Sequence, residues 1–193
     1  GWIWKDVQVT PTGGWQKVML TLDGATVDAG FDKTQFQFMK VDIAAGHDLQ
    51  AGDMLSFADM RVYYTKDEEP EKEKTEVELW NYSAAGTLMP SAAEGLSYAS
   101  GAVNETDITA KTALQVTLSS ANFPSMYVYP DKTLSGGLTD ISEYMDTLEY
   151  GFWVKLPAER STMTFRVSLG CTSWGGWIWK DVQVTPTGGW QKV

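Results

Sequence analysis

The sequence predicts an all-β sandwich whose strands are arranged in permuted or strand-exchanged order, and three observations lead there. Short segments alternate apolar and polar residues and are separated by turn formers. Nine Trp, eight Tyr and seven Phe stand against only 21% charged residues, a balance that suits pleated, half-buried surfaces. Most informative is a repeat: residues Gly1–Val18 (GWIWKDVQVTPTGGWQKV) recur letter for letter as Gly176–Val193, a period of 175 residues (176 less 1).

Side chains of a strand point alternately to its two faces, so alternation locates strands and assigns their sides together. In chain order the segments are Trp15–Leu22, Gln35–Val41, Leu55–Tyr64, Val77–Asn81, Leu114–Leu118, Met126–Tyr129, Leu148–Leu156, Met163–Leu169 and Trp177–Val184. Turns fall at Thr10–Gly14, Asp23–Gly24, Ala51–Asp53, Ser135–Gly137 and Gly175–Gly176, where Pro and Gly supply the backbone angles that turns require. One stripe of each strand is apolar: Val18, Leu20 and Leu22; Phe36 and Phe38; Leu114, Val116 and Leu118; Tyr150, Phe152 and Val154; Met163, Phe165, Val167 and Leu169. These form the expected core. The opposite stripe carries Lys17 and Met19; Gln35, Gln37 and Met39; Trp153 and Lys155; Thr164 and Arg166. Only Leu138–Tyr150 has helix-like spacing, and its flanks equally suit a turn into a strand.

The run Lys66–Thr75 (KDEEPEKEKT) holds alternating charges and a proline and cannot bury apolar area. It is expected to separate units, with a charged loop inside one domain as the other reading. Residues 1–65 then form the C-terminal part of one repeat unit and 76–193 the N-terminal part of the next, with 176–193 duplicating 1–18 as an interior hairpin. Three origins fit an exact repeat: a window on a longer array, an engineered overlap, or a unit taken from a periodic fibre.

A formal charge of −10 and a pI near 4.5 argue against nucleic acid, which needs clustered Lys and Arg. Neither a basic membrane patch nor an apolar run of about 20 residues is present, so no membrane insertion is expected. The opening Gly-Trp-Ile-Trp is not the pattern of a natural start. Cys171, the single cysteine, closes an apolar strand and is expected in the core.

Three segments carry a family resemblance. Leu148–Leu156 (LEYGFWVKL), Gly14–Leu22 (GWQKVMLTL) and Phe57–Tyr63 (FADMRVY) resemble strands of the galactose-binding-like jelly rolls found among bacterial carbohydrate-binding modules and extracellular repeat domains; with Val77–Ala99 they cover most of one unit. The resemblance implies a jelly-roll-type β-sandwich and an extracellular or cell-surface location. It also implies a structural calcium between an early acidic residue and one on the closing strand, here Glu78 and Asp59. Their order is reversed relative to the family, so the two meet within this chain only if a permuted fold closes through Lys66–Thr75.

Catalysis finds little support. His47 is the one histidine, in a loop beside Asp48, with no nucleophile elbow or second metal ligand at useful spacing. Asp140, Glu143, Asp146 and Glu149 read as a solvated acidic edge better than as glycosidase carboxylates. Asp23, Asp28 and Asp32 read as turn residues, since they lack an EF-hand register.

Binding has more. Flat rings with nearby polar groups suit sugar faces, and Trp153, Arg166 and Gln37, extended by Tyr127 and Tyr129, are expected on one non-core face as a glycan site. Trp177 and Trp179, their copies Trp2 and Trp4, and nearby Trp174 are expected to pack against another domain or subunit. The resulting expectation is a non-catalytic structural repeat unit of a bacterial extracellular stalk, surface protein or self-assembling filament, its partners identical units. The alternatives are a carbohydrate-binding module with polysaccharide as partner, and an engineered permuted sandwich with overlapping ends.

Overall fold

A computed structural model describes residues 7–8, 20–66, 75–82, 95–129, 140–171 and 177–193. The strands among them are β1 (Val7–Gln8), β2 (Leu20–Thr21), β3 (Thr26–Val27), β4 (Phe36–Ile43), β5 (Met54–Lys66), β6 (Thr75–Tyr82) and β7 (Leu96–Ala102). They continue with β8 (Thr112–Leu118), β9 (Met126–Val128), β10 (Leu148–Lys155), β11 (Met163–Cys171), β12 (Trp177–Val184) and β13 (Trp190–Lys192). The helix-like spacing before Tyr150 resolves into a 3-10 turn at Ser142–Tyr144 leading into β10.

Two sheets result. The first runs β1-β12-β11-β4-β9, with β3 beside β12; the second runs β13-β10-β5-β8-β7, with β2 beside β10 and β6 beside β5. Every pair is antiparallel except β1–β12. The fold is therefore an all-β, two-sheet sandwich. Its core lies between the sheets, where Met163, Phe165, Val167 and Leu169 of β11 meet Tyr150, Phe152 and Val154 of β10 and Leu114, Val116 and Leu118 of β8. Phe57, Phe152 and Phe165 pack edge to face, with centroids 5.2 to 6.5 Å apart, the arrangement ring quadrupoles favour. Cys171 is a buried core thiol.

One stripe differs from expectation. Phe36 and Phe38 do not share a face: Phe38 pairs with Gly170 but Phe36 pairs with Cys171, so Gln37 is an extra residue in β4. This bulge inverts the alternation beyond it. Met39, Val41 and Ile43 enter the core, while Phe38 moves to the outer surface, where its ring lies on Gly170.

The duplicated segment is not a hairpin. Strand β12 pairs with β11 in the first sheet and β13 with β10 in the second, so 185–189 is an arch between sheets. The physical reason is availability of edges: β10 and β11 belong to opposite sheets and each offers a free edge to one arm. Crossovers 44–53 and 156–162 lie at the same end of the sandwich. Asp53 takes both Nε and Nη2 of Arg160 at 2.7 and 2.9 Å, Asp48 accepts from the amide and hydroxyl of Ser161, and Thr162 bonds Thr185.

The charged run joins two neighbours of one sheet. Strands β5 and β6 pair antiparallel on either side of it, with Lys66 opposite Thr75, so within this chain 66–75 connects neighbouring strands of one sheet. The stretches before and after it are interleaved. Strand β4 lies between β11 and β9, and β5 between β10 on one edge and β8 and β6 on the other, so each sheet has among its interior strands one from the first stretch.

Candidate functional site

The outer face of the first sheet gathers most of the residues expected to bind glycan. Lys40 of β4 stands opposite Tyr127 of β9 and Ser168 of β11; its ammonium lies 5.7 Å from the Tyr127 ring centroid, within cation–π range. The Phe38 ring sits 5.8 Å from Tyr127 and 5.3 Å from Tyr129, tilted to both. Burial raises the Tyr129 phenol above its ordinary pKa, and neighbouring Tyr127 adds to the effect. Gln37 is half-buried at the bulge. One register step along, Arg166 is flanked by Asp42 and Asp181. Its guanidinium grips Asp181 through Nε at 2.8 Å and Nη2 at 3.2 Å, a bidentate pair that fixes the plane of the fork, while Asp42 bonds Lys40 at 2.9 Å.

Trp153 is not part of this face. It belongs to β10 in the second sheet, so Arg166, Gln37, Tyr127 and Tyr129 share a sheet that excludes it. Alternation reveals that a residue points away from the core but not which of two sheets its strand joins. Trp153 is 7% exposed in a satellite cluster with Trp190, Ala58, Ala113, Val103 and Ile108. The segment 103–110 thus folds back over the outer surface of the second sheet. Phe38, in turn, is a site residue that the sequence concealed, because its inward assignment depended on an alternation the bulge interrupts.

Asp59 explains how that cover is held. It is the one non-glycine residue with positive φ among those described, at 48°, where β5 passes from pairing with β8 to pairing with β6. A short polar side chain tolerates this left-handed region better than most. From there its two carboxylate oxygens accept from the amides of Thr109 and Ala110, each at 2.8 Å. The expected calcium pair is not brought together: Glu78 pairs with Tyr63 while Tyr82 pairs with Met60, which puts Asp59 about 13 Å along the strand from Glu78's position at roughly 3.3 Å per residue. The Glu78 side chain lies outside what is described. No three His, Cys, Asp or Glu side chains converge among the described residues.

The remaining polar candidates hold turns. Asp28 accepts from the Gly30 amide, and Asp32 from the amide and hydroxyl of Thr34. Asp140 accepts from the amide and hydroxyl of Ser142, which lowers its pKa, the hydroxyl contributing most. His47 sits in the 44–53 crossover with Nδ1 buried and without a hydrogen-bond partner. Of the tryptophans expected to pack against a neighbour, Trp2, Trp4 and Trp174 fall outside the described residues. The backbones of Trp177 and Trp179 pair with Gly170 and Ser168, and their side chains are outside the description.

The second feature of interest is a break in a ladder. Strand β13 runs along β10 with Trp190, Gln191 and Lys192 opposite Lys155, Val154 and Trp153, and Val193 and Phe152 exchange backbone hydrogen bonds through both amides. Strand β2 then continues along the same edge, with Leu20 opposite Tyr150 and Thr21 opposite Glu149. A single position, opposite Gly151, separates Val193 from Leu20. That spacing is the one an unbroken strand would have, because Val193 is the copy of Val18 and one residue separates Val18 from Leu20. Copy and original also meet directly: in β1, Val7 and Gln8 pair in parallel with their own duplicates, Val182 and Gln183.

No protein-family model, no curated protein and no solved structure matches the chain.

Proposed function

We propose that this chain is a non-catalytic structural repeat unit, of the kind that builds an extracellular stalk, surface protein or filament from identical sandwiches. The ladder break supports the reading above all. A segment with the sequence of Gly176–Val193 that ran on into Met19 would serve β12, β13 and β2 as one continuous chain, so a longer polymer of this period closes each sandwich without an interruption. The interleaving of β4 and β5 among strands from beyond residue 75 supports it as well, since neither stretch closes a sheet alone.

The test extends the chain by one period, repeating Met19–Val193 after Val193. Light scattering and urea unfolding are expected to report a monomer with two equally protected sandwiches, each with the denaturant dependence of one unit, because that dependence follows the surface exposed. A product in which only one period resists protease refutes the array.

A second reading, a carbohydrate-binding module, draws support from the outer face of the first sheet, where Phe38, Tyr127 and Tyr129 form a ring cluster beside Gln37, Lys40 and Arg166. Retardation in gels containing soluble polysaccharide, lost on Tyr127→Ala or Tyr129→Ala, is the expected result of that reading. Unchanged mobility across a broad panel removes it.

A further inference from the structure

The register assigns a second occupant to the place filled by Gly176–Val193. We infer that Gly1–Val18 of the same chain exchanges with that segment in a single slot formed by the free edges of β11 and β10. The inference deepens the repeat-unit reading by naming what the shared segment does when two copies are present.

The slot is well defined. On β11 it presents Met163 to Gly170 for pairing; on β10 it presents Phe152 to Lys155. Its occupant places Ile178, Val182, Val184 and Val193 in the core, all at 0% exposure. Gly1–Val18 offers Ile3, Val7, Val9 and Val18 at the same spacings, so every packing and ladder contact is available to either copy and the contact energies cancel in the comparison. What differs is the tether. The present occupant is joined to β11, whereas Gly1–Val18 is bonded to Met19 and hence to β2, which already sits on β10 at the register this copy requires. Exchange therefore leaves β2 where it is and turns the broken strand opposite β10 into a continuous one.

A pathway for the exchange is also present. Strand β1 lies against β12 with Val7 and Gln8 beside their own duplicates, so the incoming copy starts in the correct register at Val182 and Gln183, while β3 pairs with β12 at Ile178 and Trp179. Register errors, which would turn core residues outward, are avoided from the first contact.

The experiment uses charged substitutions at buried positions of each copy in the full chain. Ile178→Asp with Val182→Asp disables the present occupant; Ile3→Asp with Val7→Asp disables the other; a third protein carries all four. With exchange, each double variant keeps a cooperative urea transition near that of the parent, and only the fourfold variant unfolds. In the chain carrying Ile178→Asp and Val182→Asp, residues 176–193 also become open to protease. The inference is overturned if that double variant is as unfolded as the fourfold one, or if the fourfold variant stays folded. A second measurement guards against nonspecific damage: a chain starting at Met19 with Ile178→Asp and Val182→Asp is unfolded and regains its transition when a synthetic GWIWKDVQVTPTGGWQKV peptide is added, and absence of rescue counts against the slot. Failure here leaves the extended-chain test of the array untouched, because that chain closes its sandwiches by covalent continuity.

Discussion

Adding one methyl group at Gly170 tests the outer face of the first sheet at its tightest point. A Cβ built there would lie 2.3 Å from Cε2 and Cζ of Phe38 and 2.9 Å from Cε1. Carbon atoms settle near about 3.5 Å, so in Gly170→Ala the ring must retreat by roughly 1.2 Å. It has little room, being 1% exposed and bordered by Tyr127 and Tyr129. Overpacking of this kind costs about 1–3 kcal/mol, and the alanine returns roughly 0.4–1 kcal/mol by restricting the unfolded chain. A net loss of about 1–2 kcal/mol is expected in urea unfolding followed by tyrosine and tryptophan fluorescence. The decisive comparison adds Phe38→Ala, which alone costs roughly 3–5 kcal/mol as a deleted buried ring. With the ring gone the three nearest atoms are removed and the methyl fills part of the space, so the double variant is no less stable than Phe38→Ala. Simple additivity of the two losses refutes the assignment of Phe38 to the outer surface over Gly170.

Two further outcomes follow from the loop clamps. Asp59→Ala removes the charged acceptor of two amide hydrogen bonds, one exposed and one half-buried; at about 1.5–3 kcal/mol for hydrogen bonds to a charged group, it loosens the cover on Trp153 and Trp190, read as a red shift in tryptophan emission and faster cleavage within 103–110, and emission identical to the parent's contradicts the clamp. Asp53 has its pKa lowered chiefly by the Arg160 guanidinium. Its stabilisation is therefore complete above the unfolded carboxylate value of about 4 and is lost as pH falls through the lower folded value, because the unfolded chain takes up the proton first. Asp53→Asn consequently lowers the urea midpoint at pH 7 and narrows the difference between pH 7 and pH 3; an unaltered difference shows that Asp53 carries none of the acid sensitivity.

Sandwich architecture and most of the core were legible in the sequence, because a strand with one buried face must alternate, and β8, β10 and β11 do so without interruption. Strand β7 was not: LSYASGA is mostly small residues, and its half-buried Leu96 and Tyr98 make a weak stripe. Asp59 was legible as an acidic residue on a closing strand, but its use as a clamp depends on a positive φ and on a loop fifty residues away in sequence.

By itself the sequence determined that the chain is built from alternating strands, that its period is 175 residues and that one segment occurs twice, since composition, spacing and identity are properties of the string. Only the tertiary structure decided which sheet each strand joins. It divided Trp153 from Arg166 and Gln37, turned Phe38 outward through a one-residue bulge, made an arch of an expected hairpin, and set Val193 in line with Leu20. The physical reason is common to all four: alternation specifies two faces of a strand, whereas sheet membership and register arise from pairing between segments far apart in the chain, which leaves no local trace.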